Sequence, residues 1–448
     1  HSFPTRRSSD CIVNRISDDQ WTLISNQFAS RYTPYSQINY KGEMAMYPEE
    51  GDSASFLYIR FSEQMKNGQV IGSTTSSAIG TYKALAALHP ESEYNDILRR
   101  KIITRLNYTF DSLILPLING KRPKWNKELL VQARTDLEAS LDLISTRHYL
   151  YPHLQSRKYF LDAVLSSYGI NINNYTKKDD DSLFSCIRSL HKARQLEPHA
   201  AYIHYWMGRT YQTMIILDSS KFYLNQFASL IPFSPVAHNM LGIYYGDHKE
   251  YGQSIASFRK AMALDPGGQI PVANLIEMYS KINRYDSAMY IAQKTLHSYP
   301  DSKEILSNLT ELYIGLYRFK DAEKIIHQAL QKDSASLSFL YLQGQWYCRQ
   351  SKYEEAEQFF RRALAIRPMH RKSGYSLSKV LQAQRKYQEA IEVLSRILHN
   401  DSADIKTYYE MGMCWDFLGD SVNAARCFTQ FEQKASEEDE YAGTMGDL

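Results

Sequence analysis

Proline returns on a fixed ruler in this chain. Steps of 34 residues from Pro198 reach Pro232, Pro266 and Pro300, then Ser334, Pro368 and Ser402. Proline lacks the N–H a helix needs, and its ring collides with the preceding turn, so its regular return marks where a unit ends. With the first unit set at Ala201, the eighth position reads Gly208, Gly242, Ile276, Thr310, Gly344, Ser378 and Gly412. The eleventh reads Tyr211, Tyr245, Tyr279, Tyr313, Tyr347, Leu381 and Trp415. The twentieth reads Ser220, Ser254, Ala288, Ala322, Ala356, Ala390 and Ala424, and the twenty-fourth Leu224, Phe258, Ala292, Ile326, Phe360, Leu394 and Phe428. No insertion interrupts the count from Ala201 to residue 438, which gives seven units. Seven units in one register argue against a generic helical bundle with accidental spacing.

The pattern predicts a pair of helices in each unit. Small residues at positions eight and twenty let two helices approach closely, and an aromatic at eleven fills the space beside them. Polar turns separate the pair, as in "NRY" (Asn283 to Tyr285), "SKY" (Ser351 to Tyr353) and "RKY" (Arg385 to Tyr387). The stretch "YEEAEQFFRRALAIRP" (Tyr353 to Pro368) is then the second helix of the fifth unit. Phe227 and Phe431 depart from the expected small residue at position twenty-seven of the first and last units. A period of this length with this signature resembles the tetratricopeptide repeat. No single unit can bury its own apolar face, so stacked neighbours must supply the core.

The resemblance implies a mostly α fold, a right-handed α-α superhelix, whose first helices line a concave groove that binds an extended peptide or partner segment. Carried onto the matching positions, it places Tyr202, Tyr205, Arg209, Asn239, Asn274 and Glu277 on that groove. It also places Asn308, Glu311, Tyr341, Gln345, Arg349, Lys372, Tyr375 and Lys379 there, followed by Lys406, Tyr409 and Glu410. Asn274 and Asn308 share position six of adjacent units. An asparagine amide both donates to and accepts from a peptide backbone, so the two are either rungs for a ligand or solvated surface residues. Glu277, Glu304 and Glu311 fall in units three and four, while Arg349, Lys372, Lys379 and Lys406 fall in units five to seven. Such a division steers a ligand of matching charge into register. The family's clamp for chaperone C-terminal carboxylates is disfavoured, because Glu304 follows Asn274 where that clamp needs lysine.

Upstream of Ala201 the ruler fails but helices continue. "DSLFSCIRSLHKARQLEP" (Asp181 to Pro198) reads as a second helix, with Cys186, Leu190 and Ala193 on its inner side. Its partner is expected near residues 153–169, across the polar insert "NINNYTKKDDD" (Asn171 to Asp181). Further helices are expected over Lys127 to Ser145, where Leu130, Ala133, Leu137, Leu141 and Ile144 form a stripe, and over residues 92–118. Residues 91–200 are therefore a helical lead-in, and residues 201–438 the seven units. Residues 11–90 are unassigned and irregular, α+β in one reading: "SASFLYIRFSEQM" (Ser53 to Met65) is a strand or a helix start, and "NGQVIGSTTSSAIG" (Asn67 to Gly80) a loop or hairpin. "HSFPTRRSSD" (1–10) resembles adapter- or vector-derived sequence, and residues 439–448 form an acidic tail expected to fray.

No constellation for chemistry emerges. The net charge of +3 gives no strong field for nucleic acid or a membrane surface. The five cysteines make no CxxC pair, and there is no HExxH, GxSxG or phosphate-loop motif. Asp179, Asp180 and Asp181 lack the ligand spacing of a calcium loop and read as a solvated turn. Cys186 sits in a small-residue slot, and His204 and His238 share position four, a packing site. The apolar run "LILPLI" (Leu113 to Ile118) is too short to span a bilayer.

The sequence thus predicts a non-enzymatic scaffold for a protein or peptide partner, with no cofactor, no metal, no nucleic acid and no membrane span, and a cytoplasmic location as the default. The second reading is the regulatory or targeting C-terminal region of a larger enzyme. Its motive is the lead-in "LRRKIITRLNYTFDSLILPLINGKRPKW" (Leu98 to Trp125), which resembles the region after the peptidase domain of some bacterial caspase-like proteins. No caspase His/Cys dyad can be placed in this chain.

Overall fold

The computed structural model describes residues 53–92, 94–118, 125–170, 179–214, 216–400 and 404–445. The leader, residues 11–52 and nearly all of the polar insert lie outside them. Two compact bodies are formed, His1–Leu241 and Gly242–Leu448, and the division falls inside a helix of the second repeat.

In the N-terminal body the segment read as strand or helix is a helix, α1 (Ser53–Lys66). Ala54, Phe61 and Gln64 are its buried residues, and their spacing is helical. An irregular connection follows, and then α2 (Ala78–Leu88), capped by Ser77, whose hydroxyl accepts from the Gly80 N–H. Gln64 ties the connection down. Its amide N donates to the Thr75 carbonyl at 2.8 Å, and its amide O accepts from the Thr81 hydroxyl at 2.8 Å. Among the described residues no strand forms, so residues 53–90 are helix and turn where α+β character was one reading, and residues 11–52 lie outside the described residues.

The lead-in helices follow the expected order: α3 (Tyr94–Ile118), α4 (Lys127–Leu141), α5 (Tyr151–Ser166) and α6 (Asp180–Leu196). Leu130, Ala133, Leu137, Cys186, Leu190 and Ala193 are fully buried, as their spacing requires. The first repeat supplies α7 (Ala201–Thr213) and α8 (Leu217–Leu230), and α9 (Pro235–Asp247) begins the second. Phe110, Phe160 and Tyr202 meet edge-on in the middle of this body, with ring centroids 4.8–6.2 Å apart.

The C-terminal body continues the helix pairs. Its second helices are α10 (Tyr251–Leu264), α12 (Tyr285–Ser298), α14 (Phe319–Lys332), α16 (Tyr353–Ile366), α18 (Tyr387–Asn400) and α20 (Ser421–Met445). Its first helices are α11 (Gln269–Lys281), α13 (Lys303–Gly315), α15 (Leu337–Cys348), α17 (Arg371–Ala383) and α19 (Ile405–Phe417). The last helix extends into the acidic tail and ends at Met445.

The ruler is visible in the packing. Within the second and fifth repeats a Cβ placed on Gly242 or Gly344 would stand 2.5 Å from the ring of Phe258 or Phe360. Where position twenty is serine, its hydroxyl bonds the carbonyl at position eight: Ser220 to Gly208 at 3.1 Å, Ser254 to Gly242 at 2.7 Å.

The turn inside each pair is equally regular. The N–H at position sixteen reaches back to the carbonyl at position eleven, as in Arg284 to Tyr279 (2.8 Å), Lys352 to Tyr347 (3.1 Å) and Asp420 to Trp415 (3.0 Å). This closes the first helix as a Schellman motif and needs a left-handed residue at position fifteen. Gly419 supplies it in the last repeat at φ +78°, but Lys249, Asn283, Tyr317, Ser351 and Arg385 adopt φ near +60° without being glycine. Ser351 is exposed. Ser351→Gly is therefore expected to stabilise the C-terminal body by about 0.5–1 kcal/mol, less whatever entropy the freer unfolded chain regains. A shift of the urea midpoint measures it, and a loss of stability would contradict the αL assignment.

Candidate functional site

In the C-terminal body the first helices stand side by side: α11 against α13, α13 against α15, and α15 against α17. Positions two, six, nine and thirteen share one face of each helix, because they are three or four residues apart. Contacts between neighbouring first helices run through this same strip. The Asn308 amide donates to the Ala273 carbonyl at 2.8 Å, and the Gln345 amide donates to the Ser376 hydroxyl at 2.8 Å. The Tyr375 hydroxyl donates to Asp404 and lies 2.8 Å from Thr407 Oγ1, linking α17 to α19. Arg371 also donates to Asp404. Burial and the Asp404 carboxylate together push the Tyr375 hydroxyl up to about 12, so it stays a donor at neutral pH.

The strip is thus half structural. Asn308, read as a rung for a ligand, has one of its two amide N–H groups committed to the preceding helix. Asn274 is half-buried. Tyr341 is half-buried between Phe360 and His370, with ring centroids 5.9 Å from each. Glu277, Glu304 and Glu311 are exposed at one end, although Lys281 holds Glu277 at 2.9 Å. Arg349, Lys372, Lys379 and Lys406 are exposed at the other, and the Lys406 ammonium stands 4.8 Å from the Tyr375 ring centroid. Tyr409 is exposed and its ring lies against Phe428 and Phe431, while Glu410 accepts from the Gln382 amide.

The N-terminal body corrects part of the expected groove. Tyr202 is 1% exposed and Tyr205 4% exposed, so neither can meet a ligand. Two neighbours cause this: the lead-in helix α3 reaches α7, with Phe110 and Phe160 closing on Tyr202, and Phe227 of the same repeat's α8 closes on Tyr205. Phe227, the bulky departure at position twenty-seven, fills this core. Arg209 is half-buried with its guanidinium 4.8 Å above the Trp206 ring, and Asn239 is half-buried on α9.

The remaining candidate groups are structural. Nε2–H of His204 donates to the Pro198 carbonyl at 2.7 Å, and that of His238 to the Pro232 carbonyl at 2.8 Å. Position four thus clamps the proline that ends the preceding unit, and burial lowers the His204 pKa. Burial pushes the Cys186 thiol up, Cys348 to about 11 and Cys414 to about 12, which removes thiolate character. Asp180 and Asp181 sit in the first turn of α6, where carboxylates favour the positive end of the helix dipole. No group of His, Cys, Asp and Glu suited to a metal occurs among the described residues. None of their helices is long and apolar enough to cross a membrane.

Residues 236–267 match the family model described as "Tetratricopeptide repeat", and residues 315–397 match "Anaphase-promoting complex, cyclosome, subunit 3". No curated protein matches the chain. Among solved structures, a tetratricopeptide repeat protein from Parabacteroides merdae is 14% identical, with a TM-score of 0.46, over 61% of this chain and 99% of its own. Pseudomonas aeruginosa pilF is 18% identical, with a TM-score of 0.37, over 48% of this chain and 97% of its own. MamA is 20% identical, with a TM-score of 0.34, over 37% of this chain and 98% of its own.

Proposed function

As the chain is a tetratricopeptide-repeat protein, a scaffold for protein–protein interaction, we propose that it acts without catalysis and binds an extended partner segment along the first-helix strip of its C-terminal body. The observation that carries this reading is the charge division of that strip. Its acidic residues, Glu304 and Glu311, and its basic residues, Arg349, Lys372, Lys379 and Lys406, are all exposed and separated by repeat. Rim charges of this kind set register and on-rate. The backbone-reading role assigned to Asn274 and Asn308 is narrower, since one amide already serves the scaffold.

Isothermal titration tests the reading with two peptides of one composition. One carries its lysines in one half and its glutamates in the other, and its twin alternates them. The block peptide is expected to bind at least about tenfold more tightly, roughly 1.4 kcal/mol, and to lose that advantage in Lys372→Glu/Lys379→Glu. Equal binding of both peptides would remove the charge-register argument.

A further inference from the structure

The charge of the fifth and sixth repeats is unbalanced beyond what the strip needs. From Gln358 to Gln388 the chain holds eight Lys and Arg and no Asp or Glu. Part of this basic run surrounds a cavity of about 320 Å³ between α16 and α18, above the start of α17. Its floor is apolar, made by Leu364, Leu377, Val393 and Ile397, while Arg361, Arg371 and Arg396 stand around it. Met369, at one end, is 53% exposed. Two of the three walls are second helices, so this notch differs from the strip, which belongs to first helices.

The guanidiniums are not equally committed. Glu357 holds Arg361 at 2.8 Å, with Glu389 beside it, and Asp404 holds Arg371. Arg396 is exposed and has no ion-pair partner among the described residues. An uncommitted planar fork over an apolar floor suits a carboxylate next to a hydrophobic side chain. The volume is at the low end for a ligand pocket and holds one bulky side chain. A lipid headgroup layer would reach the arginines but leave the recessed floor empty.

We propose that this notch docks an acidic segment of a partner protein. The segment inserts one leucine or phenylalanine onto Leu364, Val393 and Ile397, and its flanking carboxylates lie on Arg396 and the outer edge of Arg361. Apolar insertion supplies affinity, and the carboxylates fix which residue enters.

Fluorescence anisotropy on the full chain tests this with a labelled peptide, EDDLFEDE, and a twin in which both apolar residues are alanine. The first is expected to bind, and the twin about tenfold more weakly. Arg396→Glu should weaken the first peptide by a similar factor. Ala365→Trp, at an exposed lining position, fills the notch from the solvent side and should abolish binding, with circular dichroism confirming that both variants keep their helix. Equal binding of the two peptides reduces the effect to surface charge and overturns the proposal. So does unchanged binding by both variants. Capture of the protein by phosphatidylserine vesicles in an Arg396-dependent manner, with no peptide binding, overturns it in favour of a membrane surface.

Discussion

Asp111→Ala should destabilise the N-terminal body by about 3–5 kcal/mol. Asp111 on α3 and Arg157 on α5 are 1% and 3% exposed, and their side chains meet at 3.2 Å. A second N–H of the same guanidinium reaches Asn107 Oδ1, also at 3.2 Å, and the group lies 4.9 Å from the Phe110 ring centroid. Taking away the carboxylate leaves a buried guanidinium, which cannot shed its proton, without the opposite charge that pairs with it at 3.2 Å. Arg157→Met should cost less, because the carboxylate left behind can neutralise itself by taking up a proton. The double variant Asp111→Leu/Arg157→Met should recover most of the loss, since apolar residues of similar volume replace a buried pair at little cost. Native-state hydrogen exchange of the α3 and α5 amides reads all three. A cost below about 1 kcal/mol for Asp111→Ala would mean that the pair is hydrated in solution.

The same buried pair shows where sequence reading stops. The ruler exposes whatever repeats, because a residue that does the same job in each unit returns at one spacing. The helix pairs from Ala201 onward, the close approach at positions eight and twenty, and the clamping histidines His204 and His238 were all legible in that way. The lead-in helices were legible as single amphipathic stripes: Leu130, Ala133 and Leu137, then Cys186, Leu190 and Ala193. Their docking onto α7 was not, because nothing in a stripe says which neighbour covers it. Tyr202 therefore read as groove although Phe110 and Phe160 of the lead-in cover it. Helix α1 was ambiguous for a related reason. Its aromatic and β-branched residues suit a strand as well as a helix, and the Gln64 latch that settles it spans 11 and 17 residues of sequence. In the strip, the bond from Asn308 to the Ala273 carbonyl crosses from one repeat to the next, so composition offered no hint that one rung was already occupied.

The ruler also predicts a rescue. Positions eight and twenty-four trade volume within each repeat: Gly344 faces Phe360, whereas the third repeat sets Ile276 against Ala292. All four residues are fully or almost fully buried, so the space is shared rather than open to solvent. Gly344→Ile places a branched side chain where even a Cβ stands 2.5 Å from the Phe360 ring. The expected loss is about 3 kcal/mol or more, since neither helix can retreat without breaking its contact with the next repeat. Phe360→Ala alone removes a buried ring and should cost about 3–5 kcal/mol. Gly344→Ile/Phe360→Ala copies the third repeat and should be more stable than either single variant, with a favourable coupling of at least about 2 kcal/mol. Urea unfolding of the four proteins closes the cycle. Additive losses would show that the two positions do not compete for one space, and close approach at position eight would then no longer explain the spacing of the helix pair.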